Sequence, residues 1–248
     1  MTYRWSLPMA LILLWAAPAL AEDVALTFAA PPAKTAAATP EAKHGTVSLS
    51  FTPKPAHSPR PPAPVIQVVR HALEALFHGN SDSLVARAVG RAEGTRTAEG
   101  GYTAAYYGHV DPGNHKWNLG SFSYQHGAKS PAEADAKQLK RLYNQALELR
   151  HQASQHQLSL SLAEELNGID LANQAPLAAL DRGYIDWLAV AKQQAMDERD
   201  RILWARTRAF LDPDSGYWDA PGLGNTLESI RWDQARRQQA VQQAIELD

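Results

Sequence analysis

Ser81-Asp82-Ser83-Leu84-Val85-Ala86-Arg87-Ala88-Val89-Gly90-Arg91-Ala92-Glu93-Gly94-Thr95 is a helix written out with its start, its apolar face and its stop. Ser81 or Asp82 is expected to cap it, since a short oxygen-bearing side chain accepts from a free N–H of the first turn. Leu84, Val85, Ala88, Val89 and Ala92 recur at helical spacing and form its buried side. Gly94 ends it, in the left-handed conformation that a helix stop favours. That leaves Glu93 as the last helical residue, near the negative end of the helix dipole, where the ionised form is disfavoured. Partial burial by nearby tyrosines would act in the same direction. Glu93 is therefore a candidate general acid.

Downstream of Gly94 the helical period disappears until about residue 127. This segment is rich in glycine and holds Tyr102, Tyr106, Tyr107, Trp117, Phe122 and Tyr124. Thr103, His109, Asp111, Asn114 and Asn118 lie between the rings. Gly100-Gly101 and Asp111-Pro112-Gly113-Asn114 are turn signals, so hairpins and loops are expected. A stretch this long inside a compact domain is more often functional than idle. Each tyrosine reads equally well as a core residue of a small sheet or as a platform for a flat ligand, and Trp117 reads rather as core. His109, Asp111 and His115 lack the spacing of a zinc site, so no metal and no cofactor are expected. Asp111 reads best as a turn residue that bonds its own backbone.

Helical signals dominate on both sides of this insert. Upstream, 65–77 repeats apolar residues at helical spacing and Gly79 ends the run. Downstream, Ser130-Pro131-Ala132-Glu133 combines a serine cap, a proline in the first turn and a glutamate that completes a capping box. That helix is expected to reach about Gln157, with Ala134, Leu139, Leu142, Ala146 and Leu149 inside. Further helices are expected near 160–167, 170–181, 184–194, 197–210 and 226–246. The loop 212–225, rich in turn residues, reads first as a helix–helix connection and otherwise as a far wall of a cleft. The fold class is mainly α (α+β), a helical domain over 65–248 with a small β-rich insert.

The N-terminal residues follow other rules. Arg4, an apolar run over 7–15 and Ala19-Leu20-Ala21 match a cleaved signal peptide over 1–21, with a mature start near Glu22. The apolar run is well short of the roughly 20 residues that a membrane span needs. No later stretch is apolar enough to cross a bilayer, so no transmembrane segment is expected after cleavage. Residues 22–64 are dense in proline, alanine and threonine and read as an extended, disordered linker, with one candidate strand over 46–52. The chain contains no cysteine, which excludes thiol catalysis and thiolate metal sites. Its net charge of −2 gives no electrostatic footprint for nucleic acid.

Two short motifs bracket the insert: Glu93-Gly94-Thr95 and Gly120-x-Phe122-x-Tyr124-Gln125. On these residues the sequence resembles the lysozyme-like superfamily, and within it the phage lambda-type endolysins and related lytic transglycosylases. Phage-type lysozymes also carry Glu-Gly-x-Arg followed by Glu-Gly-x-Tyr-Thr and Gly-His. This chain has Arg96, Glu99-Gly100-Gly101-Tyr102-Thr103 and Gly108-His109 in that order. The resemblance covers roughly 81–150. It implies a lysozyme-like helical domain whose insert lines a glycan cleft, with Glu93 as the catalytic acid. It also implies substrate contacts from Thr95, Thr103, Tyr106, Tyr107, Asn118, Gly120, Phe122, Tyr124 and Gln125.

The aspartate that phage-type lysozymes use has no counterpart here, because Thr97 stands at its position. Two-carboxylate hydrolysis would have to draw on Asp111 or Glu99. Lytic transglycosylases need one glutamate only, which serves as acid and then as base while the C6 hydroxyl of the sugar closes a 1,6-anhydro ring. The expectation is a periplasmic or secreted enzyme that cuts the β-1,4 bond between N-acetylmuramic acid and N-acetylglucosamine in peptidoglycan. The alternatives are a non-catalytic glycan-binding protein on the same scaffold and a hydrolase of a related polysaccharide.

Overall fold

The computed structural model describes residues 73–248, all of which belong to the unit Ser58–Asp248. The expected signal peptide, the linker, the strand over 46–52 and the start of the first helix lie outside the described residues. A helical turn over 73–77 and a short 3-10 turn at Asn80–Asp82 lead into α1, Leu84–Glu93. Its cap is Ser83 rather than Ser81 or Asp82. Those two are taken up in the 3-10 turn, and the Ser83 hydroxyl accepts from the Ala86 N–H at 3.2 Å. The five residues expected inside are buried, and Gly94 closes the helix at φ +77°.

Five more helices follow: α2 Pro131–Gln155, α3 Leu162–Gln174, α4 Tyr184–Gln193, α5 Glu198–Arg208 and α6 Leu227–Glu246. The molecule is therefore mainly helical, as its sequence pattern predicts. At the start of α2, the Ser130 hydroxyl accepts from the Glu133 N–H at 3.2 Å. The Glu133 carboxylate overshoots the expected capping box, accepting from the Lys129 N–H at 2.8 Å.

α3 is the central element. Ten consecutive residues, Ala163 to Ala172, are buried, so this helix has no solvent face along most of its length. The sequence pattern predicts a break near Gly168, yet the helix runs through it. Gly168 serves close approach: a β-carbon there would sit 2.9 Å from the Tyr184 ring and 3.1 Å from Leu149. α1 and α6 pack on each other and both touch α3, while α4 pairs with α5. Val85, Leu142, Leu149, Leu166, Ile169, Leu188 and Ile230 fill the common core. Among the described residues, no helix is long and apolar enough to cross a membrane.

The insert between α1 and α2 is more loop than sheet. Its regular parts are a 3-10 turn at Ala104–Tyr107 and one antiparallel pair, β1 His109–Val110 with β2 Trp117–Asn118, placing His109 opposite Asn118 and Val110 opposite Trp117. Single bridges join Arg96 to Tyr102 and Leu119 to Tyr124. The glycines and turn residues that break the helical period also keep the strands short, so the β-rich insert expected from sequence is reduced to this ribbon.

Side-chain bonds hold the insert to the helices. Arg96 is buried; its Nε donates to Ser121 Oγ at 3.0 Å and its Nη1 to the Gly100 carbonyl at 2.9 Å. Its guanidinium lies 4.0 Å from the centre of the Tyr102 ring. Asp135 of α2, fully buried, accepts from the Ser121 N–H at 2.6 Å and from Ser121 Oγ at 2.9 Å. Burial pushes the Asp135 carboxyl above the ordinary aspartate range, against the lowering effect of both serine bonds.

Gly120 sits in this junction at φ +77°, where a β-carbon would lie 2.4 Å from Asp135 Oδ1 and 3.0 Å from the Pro131 carbonyl oxygen. Gly120→Ala combines left-handed strain with a clash against fixed backbone. It is expected to lower unfolding free energy by about 2–4 kcal/mol, read from the urea midpoint.

Candidate functional site

Glu93 leaves the end of α1 with 16 % of its side chain exposed. Its Oε1 accepts two hydrogen bonds, from Asn173 Nδ2 at 3.0 Å and from Arg237 Nη2 at 2.7 Å. Oε2 has no hydrogen-bond partner among the described residues, and it is not one of the buried unpartnered atoms. One oxygen is thus clamped and the other is open. The tyrosines expected around Glu93 are elsewhere: Tyr102 and Tyr106 stack on each other over the Arg96 guanidinium. The reason is that Arg96 is the desolvated cation of the insert, and ring faces stabilise it.

Behind Glu93 lies a buried ionic network. Arg237 Nη2 also donates to Asp170 Oδ1 at 2.7 Å, and its Nε to Asp170 Oδ2 at 3.0 Å. Arg206 Nη2 donates to the same Oδ2 at 2.7 Å. Arg206 is saturated further by the Asn167 carbonyl at 2.7 Å and by Gln234 Oε1 at 2.9 Å. Burial opposes the Asp170 charge, but the Arg237 and Arg206 guanidiniums outweigh it and hold that carboxyl below the usual aspartate range. Burial likewise opposes the Arg237 charge, and Asp170 with Glu93 more than compensates, so its pKa lies above the ordinary arginine value. Beside this network, Arg236 Nη1 bonds the Ala92 carbonyl at 2.9 Å and ties α6 to the end of α1.

The two sequence motifs meet here. Asn173 Nδ2 contacts the Phe122 carbonyl at 3.3 Å as well as Glu93, and Thr95 Oγ1 donates to the Ser121 carbonyl at 2.6 Å. Thr103 Oγ1 donates to the Gly94 carbonyl at 2.9 Å. A cavity of about 160 Å³ opens beside Asn173, with Phe122, Tyr124, Gln125, Gln138 and Gln174 among its walls. Gln138 donates to Asn173 Oδ1 at 2.8 Å, and its own Oε1 is buried without a partner. The Gln125 carboxamide oxygen accepts from Asn114 at 2.8 Å, so the 111–114 turn leans on this wall. A larger cavity of about 610 Å³ lies between the starts of α3 and α5 and the far part of α6, and no motif residue lines it.

The remaining expected site residues divide by exposure. Thr95, Asn118 and Gly120 are buried in the scaffold, and Asn118 Oδ1 has no partner there. They shape the site from within rather than meet a ligand. Tyr106 is buried, and burial is the main reason its hydroxyl titrates far above the tyrosine range. Tyr107 is exposed. Trp117, read from sequence as core, is exposed as well, because its ring lies across the face of Gly108 at the edge of the ribbon. Asp111 forms the expected turn, accepting from the Gly113 and Asn114 N–H groups at 2.7 and 2.9 Å. Glu99 is exposed and lines a different small depression with Arg87 and Leu247. Neither carboxylate bonds to Glu93 or lines the cavity beside Asn173. Among the described residues, no group of three or more His, Asp or Glu is placed to hold a metal ion.

Asn173, Arg237, Asp170 and Arg206 are absent from the sequence reading. One signal for them exists: Asp170 stands inside the short apolar run Ile169-Asp170-Leu171-Ala172, and an acid buried there demands a cation. No family model, no curated protein and no solved structure matches the chain.

A depressed aspartate stabilises the fold above its unfolded value of about 4 and loses that contribution as pH falls through the lower folded value. Asp170→Asn is expected to cost about 3 kcal/mol near neutral pH, because it leaves two buried guanidiniums short of charge. Urea titrations from pH 7 down to pH 2 should show that difference shrinking at the acid end. A constant difference would mean that Asp170 carries no net charge in the fold.

Proposed function

We propose that the protein is an exported enzyme that cleaves the β-1,4-linked glycan of peptidoglycan, on a lysozyme-like helical scaffold, with Glu93 as its single catalytic carboxylate. The observation that carries this reading is the asymmetry of Glu93: one oxygen is fixed by Asn173 and Arg237, and the other has no hydrogen-bond partner among the described residues, while Asn173 itself lines a cavity with the 122–126 segment. A clamped carboxyl presents its free oxygen in one direction, as general acid–base catalysis requires. Glu93 Oε2 protonates the leaving glycosidic oxygen. The resulting carboxylate is stabilised by Arg237 and then takes a proton from the incoming hydroxyl. That hydroxyl is the sugar's own C6–OH in a lytic transglycosylase, or water in a hydrolase. Phe122, Tyr124 and Gln125 form the wall along which the glycan lies, with Thr103 holding the Gly94 carbonyl beneath it.

One observation favours a second reading. The ion pair of Glu93 with Arg237 belongs to a buried network that is complete without any substrate, as a structural role would require. On that reading the protein binds glycan without cutting it.

Glu93→Gln separates the two. Glutamine retains an acceptor for Asn173 and Arg237, so the fold is expected to persist with a loss of about 1–2 kcal/mol for the weakened charged bond. Release of soluble fragments from purified cell walls is expected to fall by about 100-fold or more, the scale of a lost general acid. Mass spectrometry of the wild-type products reads the mechanism: 1,6-anhydro ends for the transglycosylase, reducing ends for the hydrolase. Undiminished clearing by the variant would remove Glu93 from the chemistry.

A further inference from the structure

The α6 helix carries Trp232, which is 70 % exposed although it stands one residue before the buried Asp233. Its indole borders a depression of about 500 Å³ with Leu223, Thr226, Glu228, Ser229 and Asp233. That volume lies within the ~300–1,000 Å³ of small-molecule sites. The lining joins a flat aromatic ring and Leu223 to the carboxylates and hydroxyls of Glu228, Asp233, Thr226 and Ser229. A sugar ring matches it, since the apolar face of a pyranose lies on an indole while its hydroxyls reach polar groups at the rim.

Position decides what the depression serves. Asp233 Oδ2 accepts from Gln174 Nε2 at 2.7 Å and from Gln234 Nε2 at 3.0 Å. Gln174 in turn lines the cavity beside Glu93, next in sequence to the Asn173 that holds the Glu93 carboxyl. The two concavities therefore share a wall, Gln174 with Asp233. Arg236, one turn beyond Trp232, anchors the same face of α6 to the Ala92 carbonyl at 2.9 Å. The 221–226 loop, within the segment read from sequence as a connection or a far wall, forms the outer rim: Pro221–Leu223 is a short 3-10 turn and Thr226 caps α6.

We infer that Trp232, with Asp233 and the Thr226–Ser229 rim, is a saccharide-binding subsite that extends the Glu93 cleft and holds a sugar ring away from the cleaved bond. The subsite rests on the glycan reading given above, and its ligand class is a β-1,4-linked N-acetylhexosamine chain.

The test uses the full chain carrying Glu93→Gln, titrated calorimetrically with chitohexaose and with solubilised peptidoglycan glycan strands. Adding Trp232→Ala is expected to weaken binding by about tenfold or more, the scale of removing an aromatic anchor, while Trp232→Phe keeps affinity within about threefold. Urea midpoints should be unchanged, because the ring is exposed, and this separates lost binding from lost fold. Equal affinity with and without the indole overturns the subsite. Indole-dependent binding by a wild-type protein that releases no fragments upholds the subsite and overturns the cleavage reading. Cleavage with a KM indifferent to Trp232→Ala does the reverse. Absence of both binding and cleavage overturns both.

Discussion

Asp170 between Arg206 and Arg237 is the constraint around which the molecule is arranged. A carboxylate with no solvent contact is costly unless every oxygen is paired, and here two guanidiniums from two different helices supply the pairing. Those bonds fix α3 against α5 and α6. They also fix Arg237 in place, so that its Nη2 is aimed at the end of α1. Glu93 owes its orientation to this second-hand rigidity, not to its own helix, which ends one residue later. A buried cation with two anions on it is a stiff support, because releasing either partner strands a charge in the interior.

The insert is held by a separate set of bonds that converge on Ser121. Its backbone N–H and hydroxyl bind Asp135 of α2, its hydroxyl takes a bond from Arg96, and its carbonyl takes one from Thr95. Four bonds from three residues in two parts of the chain therefore fix one serine, and the 120–125 wall follows from it. Short strands suffice in this segment because side chains do what a ladder of backbone bonds does in a larger sheet. The two anchoring systems meet at Asn173, whose amide bonds Glu93 and the Phe122 carbonyl. That residue sets the distance between the candidate acid and the wall.

The helices were legible in the sequence because their apolar periods and caps are local. Leu84 to Ala92, Ser130 with Pro131, and Gly94 each state their role within one turn of chain. Boundaries failed where a tertiary contact overrode the local signal. Gly168 reads as a break, but the ring of Tyr184 needs the space. Trp117 reads as core, but two-residue strands offer no sheet for it to lie under. The position of Glu93 and its nearness to the 120–125 motif were readable, since a motif pair on either side of an insert implies that the insert closes on itself. Its partners were not. Asn173 and Arg237 lie 80 and 144 positions away, and no local rule assigns a distant arginine to one acid among many.

That separation has a consequence for how the chain comes to work. Glu93 precedes Arg237 by 144 positions, so the clamp on the carboxyl forms only after α6 has docked against α1. Contacts of such long span carry the largest loop-closure cost and form late. A chain cut short before α6 keeps its glutamate and both motifs but has nothing to hold the carboxyl in register. α6 thus acts as a built-in check, because any product that lacks it also lacks the clamp on Glu93.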